Sequence, residues 1–334
     1  MSSQRLELVR TVVDERLRPK SVIATSSGLL FAQNMMYRHN VMVLDAEGEI
    51  VAVIDDAIDR ASFGIGTGML RGAPVEAVES VDGRYVFVSN YKMYGPGYVS
   101  DADDDCDRGS WDDSLVYRVD VESLTIDAVA TVGAVPKFMA VTPDGSRLLV
   151  SNWCGFDVSV IDLAGFEEVG RIDVGRHPRG ITVTGDSTRA FVAVMGAGLI
   201  REIDLVEHRV VGDVADGGIT PRHLVLSGDG RFLFVSNNYG DTVRKIDLSG
   251  EEQPVVRGVP SRPRTMVLSD DGSVLYVVSY DDDVMSVLAT EDLALLDTVA
   301  TGSRPIGVTF DARNRSVWVA NYSGSLMRFT PTAR

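Results

Sequence analysis

The chain is 334 residues long, 45% hydrophobic and 24% charged, with a formal net charge of −16 at pH 7. This composition is typical of a globular protein with a large core, and the acidic balance argues against nucleic acid or an anionic membrane surface as a partner, because both require a broad basic surface. No segment approaches the roughly 18 consecutive apolar residues of a membrane helix, so we expect no membrane partner.

The N-terminal segment, residues 1–20, places Arg, Glu and Asp among its apolar residues. A signal peptide needs an uninterrupted apolar core, so this segment predicts a cytoplasmic location. Within it, the stretch LELVRTVV from Leu6 to Val13 is predicted to form a strand.

A repeated unit occupies the rest of the chain. A proline opens each copy, at Pro19, Pro74, Pro136, Pro178, Pro221, Pro263 and Pro305, with spacings of 55, 62, 42, 43, 42 and 42 residues. Each copy has short runs rich in Val, Ile, Leu and aromatic residues, separated by turns such as PDG, GDG and DDG. Seven four-stranded antiparallel units predict an all-β, seven-bladed β-propeller that forms one domain over residues 1–334. The last copy ends after its third strand, so we expect the N-terminal strand to close that blade.

The segments VFVSNYKMYG, LLVSNWCGFDVSVIDL, LFVSNNYGDTVRKIDL and VWVANYSGSLMRF resemble the YVTN-type seven-bladed propellers, and the resemblance covers essentially the whole chain. It implies the fold more specifically than the function, because such propellers serve as binding platforms, surface proteins and several kinds of enzyme. Cytosolic lactonases that hydrolyse sugar-phosphate lactones, and lyases that open cyclic esters, are similar in fold and charge. The resemblance therefore favours a lactonase-like hydrolase or a lyase, with no catalytic set matched residue by residue.

One face of the predicted propeller carries a repeated basic position. If the strands of a blade are labelled A to D from the axis outward, the D-to-A and B-to-C connections lie on the same face, called here the top face. The position after each repeat proline belongs to this face and is occupied by Lys20, Val75, Lys137, Arg179, Arg222, Arg264 and Ile306. Five of these seven are basic, although Lys and Arg number only 32 of 334 residues. We interpret them as an anion site at the mouth of the channel; the alternative is that each pairs with an acid on a neighbouring blade.

The predicted site extends to other residues of the top face. The ligand-binding set is Lys20, Lys137, Arg179, Arg222, Arg264, Glu76, Tyr91, Trp153, Tyr280 and Tyr322. His39, His177 and His223 belong to the same face, and imidazole is the usual acid or base near neutral pH. We predict His223 and His39 as catalytic residues. Lys137 is the third, since a lysine crowded by arginines can act as a base or an imine-forming amine.

Asparagine recurs at the end of strand B. It occurs at Asn34, Asn90, Asn152, Asn237 and Asn321, and its side chain is well suited to bond neighbouring backbone in turns, so we interpret the repeat as structural.

Both long insertions fall on the top face, where they could cover the channel mouth. The first is a D-to-A connection containing DDAIDRASFGIGTGMLRGA, and the second is a B-to-C connection containing NYKMYGPGYVSDADDDCDRGSWDDS. Asp101, Asp103 and Asp105, with Asp112, give a weak indication of calcium, but the loop lacks the glycine and final glutamate of an EF-hand, so a solvated acidic loop is expected and the cofactor stays unknown.

Cys106 and Cys154 are the two cysteines of the chain and lie on top-face connections of adjacent blades. They could approach each other, yet a reducing compartment would keep them as thiols.

Two functions follow. The first is binding of a small anionic metabolite at the channel mouth, with hydrolysis, elimination or isomerisation by histidine acid–base chemistry. The second is a non-catalytic scaffold whose top face holds an acidic peptide or partner protein. A closed mouth favours the first, and a flat open face favours the second.

Overall fold

The computed structural model describes residues 5–35, 38–91 and 106–332. In these ranges the chain forms 30 strands and one short 3-10 helix. Twenty-eight strands form seven four-stranded antiparallel sheets, and the remaining two form a small hairpin. The prediction of an all-β, seven-bladed propeller is therefore confirmed.

The N-terminal strand is β1 (Leu6–Val13). Blade 1 contains β2 (Ser21–Ala24), β3 (Leu30–Asn34), β4 (Asn40–Leu44) and β5 (Ile50–Asp55). The hairpin that follows contains β6 (Ile58–Asp59), the 3-10 helix (Arg60–Phe63) and β7 (Met69–Leu70). Blade 2 contains β8 (Ala73–Glu79), β9 (Tyr85–Tyr91), β10 (Ser114–Asp120) and β11 (Thr125–Val132). Blade 3 contains β12 (Pro136–Val141), β13 (Arg147–Asn152), β14 (Asp157–Asp162) and β15 (Glu167–Asp173).

The other four blades repeat this order. Blade 4 contains β16 (Pro178–Val183), β17 (Arg189–Val194), β18 (Leu199–Asp204) and β19 (Arg209–Asp213). Blade 5 contains β20 (Pro221–Leu226), β21 (Phe232–Asn237), β22 (Thr242–Asp247) and β23 (Val255–Gly258). Blade 6 contains β24 (Pro263–Leu268), β25 (Val274–Ser279), β26 (Val284–Ala289) and β27 (Leu295–Ala300). Blade 7 contains β28 (Pro305–Asp311), β29 (Ser316–Asn321), β30 (Ser325–Pro331) and β1.

The two ends of the chain close blade 7. Strand β1 pairs antiparallel with β30, from Leu6 opposite Pro331 to Val13 opposite Ser325. The N-terminal strand is thus the outer strand of the last blade, as predicted. Strand β1 therefore pairs the third strand of blade 7, which would otherwise be an open edge, and both ends of the chain belong to the same sheet.

Apolar contacts between blades hold the ring together. The inner strands β2, β8, β12, β16, β20, β24 and β28 each contact the inner strands of both neighbouring blades. Strand B of each blade is buried on both faces, which explains its largely apolar sequence. A separate apolar cluster fills each gap between blades; the fully buried Trp318 belongs to the one between blades 7 and 1.

Four of the five repeated asparagines, all except Asn237, have hydrogen-bond partners for their side chains among the described residues. Asn34 Oδ1 accepts a hydrogen bond from the backbone N–H of Arg18 at 2.7 Å, and Asn152 Nδ2 donates to Asp157 Oδ1 at 2.7 Å. All five asparagines are buried at the end of strand B. A Cβ on Gly133, in the connection above Asn152, would lie 2.6 Å from its Nδ2, so glycine permits this close approach. These contacts support the structural interpretation.

Cys106 and Cys154 form a disulfide, with Cα atoms 5.6 Å apart. The expectation of thiols is therefore wrong for this structure. The B-to-C connections of blades 2 and 3 are neighbours on the ring, which brings the two Cα atoms within the range that a disulfide spans. Both cysteines are buried in a top-face cluster with Tyr91 and Trp153. Disulfides persist in oxidising compartments, so the bond lends no support to the cytoplasmic location, which stays a prediction.

The first insertion folds as the β6–β7 hairpin with its 3-10 helix and packs beside blades 1 and 2, with Ile58 buried in the cluster between these blades. Most of the second insertion, including Asp101, Asp103 and Asp105, lies outside the described residues. Elsewhere, in the described ranges, three or more His, Cys, Asp or Glu side chains nowhere converge as they would to hold a metal ion. Within the same ranges, no helix is long and apolar enough to cross a membrane.

Candidate functional site

One backbone arrangement, repeated in five blades, builds the top face around the channel. The residue before the repeat proline has a left-handed conformation, with φ between 52° and 60°, and its carbonyl accepts the N–H of the residue after strand B. The donor and acceptor pairs are Trp153 with Val135, Met195 with His177, Asn238 with Thr220, Tyr280 with Arg262 and Tyr322 with Arg304, at 2.9 to 3.0 Å. Each bond joins a B-to-C connection to the D-to-A connection beside it, so both contribute to the rim of the channel.

A bulge follows the repeat proline on strand A. In blades 3 and 4 the pairing of strands A and B shifts register between the proline and the residue three positions later. The backbone carbonyl of the residue after the proline accepts a hydrogen bond from a serine of the neighbouring blade. Ser151 Oγ donates to the carbonyl of Arg179 at 2.6 Å, and Ser236 Oγ donates to that of Arg264 at 2.8 Å. A bulge redirects the side chain of a strand residue. This is why Lys137 and Arg179 line the channel instead of lying between two blades.

The result is a cavity of about 540 Å³ on the top face, called here the mouth cavity. Its basic lining residues are Lys20, Lys137, Arg179, Arg222, Arg262 and Arg264. Its aromatic lining residues are Trp153, His177, Tyr239, Tyr280 and Tyr322, and Met35, Met195, Gly196, Thr220, Asn238 and Ile306 complete it. The structure thus brings together eight of the predicted ligand-binding residues; whether they bind a ligand stays a prediction.

Four of the six cations that line the mouth cavity are buried, and Arg262 and Arg264 are half-buried. Lys20 is 7% exposed, Arg179 is 8% exposed and Arg222 is 6% exposed. Burial and the nearby Arg179 and Arg222 lower the pKa of Lys20 well below its ordinary value. Glu76, also buried, has its Oε1 3.9 Å from Nη2 of Arg179. Burial raises the pKa of Glu76, against the opposing influence of Lys20 and both arginines. The described part of the cluster therefore groups two guanidinium groups and an amine around one buried carboxyl group.

Aromatic rings lie against two of the cations of the mouth cavity, Lys137 and Arg264. Nζ of Lys137 lies 4.9 Å from the ring centre of Tyr91 and 5.8 Å from that of Trp153, while the guanidinium of Arg264 lies 4.3 Å from that of Tyr280. The Trp153 ring stacks on His177 with centres 4.4 Å apart and planes 6° apart. Cation–π contacts restrict long side chains without neutralising them. These ring contacts therefore help to fix the positions of Lys137 and Arg264 on the cavity wall.

The two histidines predicted as catalytic residues lie elsewhere. His223 is buried, its ring lies 4.6 Å from that of Phe138 and its Nδ1 accepts the N–H of Met266 at 3.4 Å. Burial, with Arg179 and Arg222, lowers the pKa of His223 to about 3, so its imidazole is neutral and weakly basic at pH 7. His39 donates from Nδ1 to the carbonyl of Gly72 at 2.8 Å. Neither histidine is among the described residues that line the mouth cavity.

Sequence reasoning assigned no binding role to several lining residues, such as His177, Arg262 and Met195. The repeat itself contains the signal that identifies them. His177 and Arg262 directly precede the repeat proline, and Met195 directly follows strand B, at the positions that the backbone arrangement places on the rim. Glu76 and Tyr91, which were predicted to bind ligand, are not part of the described lining. Glu76 lies against the lining residue Arg179, and Tyr91 lies against the lining residue Lys137.

The insertions do not form the walls of the mouth cavity where they are described. In residues 56–72 and 106–113, which the structure describes, no residue belongs to the lining. The expectation that both long loops cover the mouth is therefore not supported for these parts. Residues 92–105 lie outside the described ranges.

Comparison with known proteins supports the fold and leaves the activity open. No protein-family model matches the chain. Antigen Lp49 of Leptospira interrogans is 26% identical over 174 residues, which are 49% of this chain and 38% of that protein. The chain thus matches well under half the length of this curated relative. A chain of hydrazine synthase from Kuenenia stuttgartiensis superposes with a TM-score of 0.75 over 96% of this chain and 97% of that one, at 18% identity. The chain is a seven-bladed propeller. Membership of the YVTN-type group stays a prediction.

Proposed function

We propose that this propeller binds a small organic anion in the mouth cavity. The observation that carries the proposal is the convergence of Lys20, Lys137, Arg179, Arg222 and Arg264 on one cavity of about 540 Å³. In a protein with a net charge of −16, such a cluster focuses a local positive field that attracts anions. Binding of an anion offsets the cost of burying these like charges.

The shape and lining of the cavity favour a small molecule over a protein partner. Its volume lies within the roughly 300 to 1,000 Å³ of small-molecule sites. Lys20, Arg179 and Arg222 are buried, whereas Tyr239 is 62% exposed at the rim. A ligand with a carboxylate or phosphate at one end and a planar or apolar part at the other fits both regions. A scaffold for an acidic peptide, the alternative from sequence, requires a flatter face.

Hydrolysis, elimination and isomerisation by His223 and His39 have less support than binding. A neutral imidazole with a pKa of about 3 is a poor base at pH 7, and His39 uses its Nδ1 proton to bond Gly72. A lactonase-like or lyase activity remains a prediction from the resemblance. A reaction in the mouth cavity would therefore depend on side chains other than His223 and His39.

The test is a thermal-shift and calorimetric titration at low salt with phosphorylated and carboxylated metabolites. We expect ligands to raise the melting temperature of the native protein by mass action. The double variant Arg179→Ala, Arg222→Ala should lose this shift. Arg5→Ala, Arg209→Ala is the matched control, since it removes two exposed cations outside the mouth cavity and leaves the shift in place.

Folding of both variants is checked by circular dichroism and by the melting temperature without ligand. Equal ligand shifts in the native protein and in the folded Arg179→Ala, Arg222→Ala variant would contradict the proposal. Failure of every anion to shift the native protein, together with capture of an acidic peptide on the top face, would favour the scaffold function.

A further inference from the structure

The amine of Lys20 differs from the other described lysines. Lys245 anchors its Nζ on the carbonyl of Glu291 at 2.7 Å, and Lys137 places its Nζ against aromatic rings. Lys20 lines the mouth cavity and is 93% buried, yet within the described residues its Nζ has neither a hydrogen-bond acceptor nor a carboxylate within bonding distance. Its charged neighbours, Arg179, Arg222 and Glu76, act through space.

This environment favours the neutral amine. Burial penalises the ammonium form, and the adjacent guanidinium groups repel a further positive charge. A neutral lysine amine is nucleophilic towards carbonyl carbon, and desolvation or a cationic neighbour is the way in which proteins activate such a lysine.

We propose that Lys20 forms an imine with the carbonyl group of a 2-oxo acid whose carboxylate is held by Arg179 and Arg222. The inference rests on the proposed function, because the same arginines must bind the anion. In a 2-oxo acid the carbonyl carbon is one bond from the carboxylate, which suits an amine that lies beside the carboxylate-binding arginines. An aromatic or apolar substituent on the acid would occupy the rim, against Trp153 and Tyr280.

The step is a condensation without oxidation or reduction. The nitrogen lone pair of Lys20 attacks the carbonyl carbon, the π electrons move to oxygen, and a proton transfers from nitrogen to oxygen to form a carbinolamine. The nitrogen lone pair then forms the C=N bond while the hydroxyl takes a proton and leaves as water. Glu76, buried beside the cluster with a raised pKa, is the carboxyl group placed to donate that proton and to balance the iminium charge as a carboxylate.

Borohydride trapping tests the inference. The full chain is incubated with phenylpyruvate or pyruvate, reduced with sodium borohydride, digested and analysed by mass spectrometry. We expect one reduced adduct per chain, located on Lys20 and absent without the 2-oxo acid. The Lys20→Met variant should show at least a tenfold lower yield, whereas Lys245→Met, on a lysine outside the mouth cavity, should label like the native protein.

The peptide map of the native protein keeps the test independent of whether Lys20→Met folds. Location of the adduct on another lysine, or no adduct at saturating 2-oxo acid, would overturn the inference. Phenyllactate, which has the carboxylate but no carbonyl group, separates the two proposals. If phenyllactate raises the melting temperature and phenylpyruvate gives no adduct, the anion site stands and the imine does not. If neither compound binds, both fail for this class of ligand.

Discussion

Arg179 of blade 4 and Glu76 of blade 2 lie 3.9 Å apart, Nη2 to Oε1, in the buried cluster at the mouth of the channel. The pair joins two blades that are not neighbours on the ring. Burial raises the pKa of Glu76, and Lys20, Arg179 and Arg222 each act against that rise.

Replacement of Lys20 by Met should stabilise the protein in the absence of ligand. Burial lowers the pKa of Lys20 in the folded state only, so the unfolded chain binds more protons as the pH falls below about 10.4. Native stability therefore decreases from that pH towards the folded pKa and stays lowered below it. We expect Lys20→Met to gain on the order of 1 kcal/mol at pH 7, measured by urea unfolding, with the gain shrinking above pH 10.5.

The same variant should bind anions more weakly. A stability at pH 7 equal to or below that of the native protein would show that the folded state does not lower the pKa of Lys20.

The imidazole of His223 should not titrate near neutral pH. Burial and two arginines lower its pKa from 6.5 to about 3, so the ring stays neutral between pH 5 and 8. Nitrogen NMR of the histidine side chains, assigned with His223→Gln, measures this directly. An inflection for His223 near pH 6.5 would contradict the structure and return this residue to consideration as an acid or base.

Reduction of the Cys106–Cys154 disulfide should lower stability. The bond closes a loop of 48 residues and, by constraining the unfolded chain, a disulfide typically contributes about 2 to 4 kcal/mol. Denaturant unfolding with and without dithiothreitol measures the loss, and Cys106→Ala, Cys154→Ala should reproduce it without reductant. Thiol titration of the denatured protein is the control; two reactive thiols before reduction would refute the bond.

The double variant should also weaken anion binding. The disulfide packs against Trp153, whose ring forms part of the cavity wall, so its loss removes support from that wall.

Asp56 should make stability depend on pH between about 4 and 7. Burial is the main cause that raises its pKa from 3.8 to about 7, so in this window the unfolded state is ionised while the folded state is protonated. Stability falls as pH rises through the window and stays lowered above it. We expect Asp56→Asn, whose amide oxygen can still accept from Asn90, to gain on the order of 2 kcal/mol at pH 8 and little at pH 3.5.

The exposed Glu47→Gln is the matched control, because it removes one carboxylate without changing a buried group. A gain for Asp56→Asn that does not vary with pH would show that removal of its charge is not the cause.

The amino-acid sequence by itself determined the number of blades, the closure of blade 7 by the N-terminal strand and the face on which the basic residues gather. Turn residues and apolar runs recur at a spacing of 42 residues in most copies, and a four-stranded unit of that length can bury its two faces only against copies of itself. The position after the repeat proline therefore recurs in the same connection of each blade. Lys20, Arg179 and Arg222 could be grouped on this basis alone.

Tertiary structure decided which side chains share the mouth cavity. The residue after the proline lines the channel because a bulge and a bond from the neighbouring blade redirect it, whereas His223, one position later in blade 5, lies buried against Phe138. The Cys106–Cys154 bond depends on how closely two neighbouring connections approach. Spacing along a chain specifies the blade and the face of a residue; side-chain direction, burial and the resulting pKa depend on contacts between blades, which exist only once the ring has closed.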